Sequence, residues 1–124
     1  MKPSEILQAA LTELEKGPQT WTKGEYATDK DDKIVQPGSE QATCRCAIGH
    51  VLYAGGIKED FSKWSTDVEN SLRYIGKAIT KVLPKNVCSA HYKISVFNDA
   101  DETTYEQVVE KFKTAIVMAK KVGR

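Results

Sequence analysis

The sequence predicts an α+β fold, mostly α, with about four helices around one core, a small β-hairpin and one further short strand. Two patterns carry that prediction. Apolar residues recur at helical spacing between capping residues, and a turn-forming "DKDD" separates two short β-prone stretches.

In chain order, the first helix is predicted with Ser4 as its cap and Ile6, Leu7, Ala10, Leu11 and Leu14 on one face, stopping at Gly17 and Pro18. Residues 25–28 then extend, "DKDD" turns, and Lys33, Ile34 and Val35 return as the second strand of the hairpin. "QPGSEQ" reads as a loop. Thr43 is expected to cap a second helix that contains Cys44, Cys46 and His50 and ends at Gly55 and Gly56. A third helix is marked by the capping-box pair Thr66 and Glu69. It aligns Val68, Leu72, Ile75, Ile79 and Val82, and closes at Pro84. In "HYKISVFND", Tyr92, Ile94 and Val96 alternate with His91, Lys93 and Ser95, which predicts a short strand running into Asn98 and Asp99. The last helix is capped by Thr103 or Thr104 and carries Val108, Val109, Phe112, Ala115, Ile116 and Ala119 as its stripe. Lys120, Lys121 and Arg124 complement its C-terminal dipole.

Composition narrows the function classes. A chain of 124 residues is the size of one domain, residues 1–124, and buries a core without metal or disulfide staples. Lys and Arg number 18 against 17 Asp and Glu, so the net charge of +1 provides no field that would draw the chain to nucleic acid. No apolar run reaches the roughly 20 residues of a membrane span. Glu5 and Glu13 interrupt the amphipathic start, unlike a signal peptide. A cytoplasmic protein without membrane association or cofactor is expected. Its three cysteines, an odd number, are expected as free thiols.

Cys44, Cys46 and His50 raise the question of chemistry. On a helix, Cys44 and Cys46 lie roughly 200° apart and do not chelate one ion, whereas Cys46 and His50 share a face. A zinc site would need Cys46, His50, Cys88 and His91 as a Cys2His2 shell. A nucleophile reading places Cys46 in the first helical turn, with His50 or His91 as base and Asn98 or Asp99 orienting it. Against both stands burial of cysteine as a small hydrophobe beside Ile48 and Leu52, with Gly49 admitting close packing.

The stretch "WTKGEYATDKDDKIVQPGSEQATCRCAIGHVLYAGG", followed later by "ISVFNDADETTYEQVVEKF", resembles a family of uncharacterised small proteins of bacteria and phages. Trp21, Gly24, Tyr26, Ala27, Asp29, Cys46, Ala47, Gly49, Asn98, Asp99 and Thr104 carry the resemblance. The sequence departs from the family pattern at Asp32, where glycine is frequent, at Arg45, where tryptophan is usual, at His50, and at Phe97 in place of a second tryptophan. The resemblance implies a mostly helical domain and supplies no activity.

It also singles out Trp21, Tyr26, Asp29, Arg45, Asn98 and Asp99, aromatic and polar groups at element edges, as a candidate ligand-binding cluster. The competing role is structural: Asn98 and Asp99 build a turn or cap, and Trp21 anchors the hairpin on the first helix. Three functions remain open. The first is a non-enzymatic interaction protein that binds a host protein, acting in the host cytoplasm if phage-encoded. The second is a binder of a small, nucleotide-like ligand, and the third a cysteine- or zinc-dependent enzyme.

Overall fold

The computed structural model describes residues 1–58, 63–80 and 89–124. Its elements are α1 (Pro3–Leu14), a single 3-10 turn (Pro18–Thr20), β1 (Ala27–Thr28), β2 (Cys44–Arg45), α2 (Ala47–Ala54), α3 (Thr66–Ala78), α4 (Ala90–Asp99) and α5 (Tyr105–Lys121). The class is α+β, mostly α, as the sequence predicts. Among the described residues there are five helices, because the segment expected as the extra strand is helical.

α1 packs against α2, α3 and α5, and α3 packs against α4 and α5. Leu7 and Leu14 of α1, Ile48 and Leu52 of α2, Ile75 of α3, Ile94 of α4 and Phe112 of α5 meet in one buried cluster. Their spacing follows the helical repeat, so each helix turns one stripe inward. No helix among the described residues is long and apolar enough to cross a membrane.

The starts of α1 and α3 differ from expectation by two residues and one. Ser4 is not a cap: it lies in the first turn of α1, where its N and Oγ both donate to Arg124 O at 3.1 and 2.7 Å. Glu5 instead accepts from Lys2 N at 2.8 Å. Ser65 rather than Thr66 caps α3, accepting from Val68 N at 3.2 Å. Thr104 caps α5 with Gln107 as its capping-box partner, while Thr103 is buried. α3 ends at Ala78, with Ile79 as its C-cap; Val82 and Pro84 lie outside the described residues.

The hairpin is corrected in its second arm. The "DKDD" turn forms, with Asp29 N donating to Lys33 O at 2.9 Å and a single bridge joining Thr28 to Ile34. Asp32 occupies its left-handed position at φ 61°, a conformation that favours glycine. The strand that pairs with β1 is β2, antiparallel, with Ala27 opposite Arg45 and Thr28 opposite Cys44. Ile34 is exposed, so this arm has no buried face to hold it in a sheet.

Cys44 therefore lies on a strand, with Sγ 2.8 Å from Thr28 Oγ1, and the helix begins three residues later. Cys46, not Thr43, is the N-cap of α2, its Sγ accepting from Gly49 N at 3.3 Å. "HYKISVFND" forms α4 because Ser89 caps it, accepting from Tyr92 N at 3.1 Å, and because Ile94, Phe97 and Asn98 give it an inward stripe.

Gly49 allows α2 to approach the strand region. A Cβ there would overlap the Tyr26 carbonyl oxygen, which also accepts from Cys46 N at 3.1 Å. Gly49→Ala is expected to lower stability by about 1–3 kcal/mol through overpacking against backbone. Equilibrium urea unfolding checks this, with a reduced midpoint at unchanged slope as the predicted result.

Candidate functional site

α4 delivers Asn98 to the point where three segments meet. Its side chain is 2% exposed, and all of its hydrogen-bonding capacity is used. Oδ1 accepts from Trp21 Nε1 at 2.7 Å and from Ala47 N at 2.9 Å. Nδ2 donates to Thr22 O at 3.1 Å and to Asp99 Oδ1 at 2.9 Å. Two N–H donors on one atom fix the orientation of the amide. Asp99 Oδ1 also accepts from Gly24 N at 2.9 Å, with Gly24 at φ 86°. Lys23 closes the same corner, its Nζ donating to Ala100 O at 2.6 Å and lying 5.4 Å from the centre of the Trp21 ring.

Beside this junction is a cavity of about 240 Å³. Glu25, Tyr26, Cys46, Ser95, Asn98 and Asp99 are among its lining residues. The structure thus brings together four members of the sequence cluster: Trp21, Asn98 and Asp99 by hydrogen bonds, and Tyr26 across the cavity. The other two are elsewhere. Asp29 Oδ1 accepts from Asp31 N at 2.8 Å and Lys33 N at 3.0 Å, bonds that hold its carboxyl below its ordinary range. Arg45 is 4% exposed; its Nε donates to Pro37 O at 2.6 Å and its Nη2 to Ser39 O at 3.0 Å. Its guanidinium carbon sits 3.7 Å from the centre of the Tyr53 ring.

The titratable groups follow the same pattern. Burial pushes the Cys46 thiol up to about 11, outweighing its bonds to backbone N–H groups. Burial likewise pushes His50 down to about 4, although its Nε2 lies 2.8 Å from Thr20 O. Because Cys46 is a cap and His50 reaches the 3-10 turn, their donor atoms go to different partners instead of sharing one helical face. His91 bonds through Nε2 to the Tyr26 hydroxyl at 2.7 Å. Among the described residues no group of three or more His, Cys, Asp and Glu is placed to hold a metal ion, and Cys88 lies outside them.

Sequence reasoning missed the backbone half of this network, Ala47 N, Thr22 O and Gly24 N, because backbone partners leave no mark in residue type. It also missed Ser95 and the pairing of Tyr26 with His91. A helical reading of residues 90–99 would have put Ser95, Asn98 and Asp99 at i, i+3 and i+4 on one face.

A family model described as "Family of unknown function (DUF6197)" matches residues 1–117. The chain belongs to this family. The DUF6197 match spans both Trp21 and Asn98, so the junction lies wholly inside the family region. No curated protein and no solved structure matches the chain.

Asn98→Ala strands Trp21 Nε1 and Ala47 N without acceptors. Its expected cost is about 2–4 kcal/mol, above the roughly 0.5–2 kcal/mol of losing a simple cap. Chemical denaturation measures it.

His50 gives a pH prediction. Its ordinary value is 6.5 and its folded value about 4, so only the unfolded chain takes up this proton between those limits. Stability is fully present above pH 6.5 and falls as the pH drops toward 4, by about 3 kcal/mol at the bottom of the window. His91, also lowered by burial, adds in the same direction. Urea midpoints across this window should fall in the native chain and fall less steeply in His50→Gln.

Proposed function

We propose that this protein is a small non-enzymatic interaction protein that acts by binding a protein of its host cell, in the manner of a phage accessory or host-modulating factor. The observation that carries the reading is the engagement of its reactive groups in the scaffold. Cys46 caps α2 with a thiol raised to about 11, which leaves little thiolate at neutral pH. His50 is 1% exposed and bound to a main-chain carbonyl. Neither is placed as a nucleophile and base pair would be.

The dimensions of the junction cavity favour a protein partner over a free nucleotide. At about 240 Å³ it falls below the roughly 300–1,000 Å³ of small-molecule pockets. One side chain of a partner fits that space. Glu25 and Asp99, both exposed at its lining, favour a lysine or arginine there.

The test expresses the tagged chain in its host cell and identifies what it retains. The expected result is one host protein in near-stoichiometric amount, held equally by Cys46→Ser. The paired change Glu25→Gln and Asp99→Asn should release it, since it removes charge while leaving acceptors for Gly24 N and Asn98 Nδ2. Capture that requires the Cys46 thiol, or no stoichiometric protein at all, contradicts the reading.

A further inference from the structure

On the face formed by α3 and the start of α4 lies a groove of about 650 Å³, well within the roughly 300–1,000 Å³ range of small-molecule sites. It is separate from the junction cavity and shares no lining residue with it. Leu72 and Gly76 line it from α3 and Ala90 from α4, so its floor is apolar.

Cationic donors outnumber carboxylates among its described polar residues. Among the described residues, Arg73, Lys77 and Lys93 line it against the carboxylate of Glu69. None of the three cations forms an ion pair with a described residue; Lys77 Nζ rests 5.5 Å from the centre of the Tyr74 ring. Ser89 caps α4 at the groove, where the positive end of the helix dipole adds to the field.

An aromatic wall completes it. The Trp64 and His91 rings are 5.2 Å apart and tilted by 33°. His91 is steadied by Tyr26 through a 2.7 Å hydrogen bond. Trp64 Nε1 is buried and has no hydrogen-bond partner. An indole N–H withdrawn from water without an acceptor is costly and rare.

We propose that the α3–α4 groove binds a small planar organic anion, an aromatic ring carrying a carboxylate or a phosphate. The ring lies against Trp64 and His91, and the acid group faces Arg73, Lys77 and Lys93. This site is independent of the host-protein reading, since the proposed partner contacts lie at the other cavity.

The experiment follows the Trp64 indole N–H resonance of the ¹⁵N-labelled full chain, identified by its loss in Trp64→Phe or its retention in Trp21→Phe. The probes are indole-3-carboxylate, phenyl phosphate and the neutral indole-3-carboxamide. A saturable shift with at least one acid is expected, and the acid that acts distinguishes carboxylate from phosphate. The carboxamide should bind about tenfold more weakly, and the pair Arg73→Gln and Lys77→Gln should weaken acid binding about tenfold with an unchanged melting curve. The proposal is overturned if neither acid shifts the resonance, if the carboxamide binds as well as the acid, or if the charge-neutralised variant binds as the native chain does.

Discussion

The carboxamide of Asn98 is the constraint on which the rest of the structure depends. It joins the segment around Trp21 and Thr22, the start of α2 and the end of α4 in one buried set of hydrogen bonds. The β elements cannot do this work, because β1 and β2 are two residues each and so short a pairing is marginal in water. A single net hydrogen bond contributes only about 1 kcal/mol, but a buried donor left without an acceptor costs about 1–3 kcal/mol. The network therefore acts less as glue than as a penalty on every other arrangement of these segments.

Arg45 and Cys46 extend the same logic along the chain. Arg45 turns its guanidinium onto the carbonyls of Pro37 and Ser39 and onto the Tyr53 ring, ordering the loop that leads into β2. Burial lowers its pKa, yet an arginine remains charged, and the carbonyls supply what water would. Cys46 closes the first turn of α2, and Gly49 lets that turn press on Tyr26. The residue types that suggested chemistry are those the scaffold uses. The Asp99 carboxylate and the Trp64–His91 groove are the parts that still face outward.

Local signals in the sequence were enough for α1, α5 and the inward stripe of α3, which lie within one stretch of chain, although α3 ends at Ala78, short of the expected Pro84. The "DKDD" turn was legible for the same reason, being built by Asp29 on its own neighbours. β2 was not, because its partner β1 lies 17 residues away and only the fold brings Thr28 beside Cys44. That missing pairing also displaced the start of α2 and turned Cys44 and Cys46 into apparent helical neighbours. Residues 90–99 satisfy both an alternating and a helical pattern, and over ten residues the two are hard to separate. Ser89, the cap that decides it, stands just outside the stretch that suggests the alternation. Of the candidate site, Trp21, Tyr26, Asn98 and Asp99 converge, while the side chains of Asp29 and Arg45 serve their own loops.

A double-mutant cycle between Trp21→Phe and Asn98→Ala, read by urea unfolding, tests the central role of Asn98 most directly. Trp21→Phe removes the indole N–H while keeping an aromatic anchor, so the cycle isolates the Trp21–Asn98 bond from the packing around it. If Asn98 holds the junction, the two changes should be non-additive by about 1–2 kcal/mol. Additivity within about 0.5 kcal/mol would mean that the bond is incidental and that packing alone sets the junction.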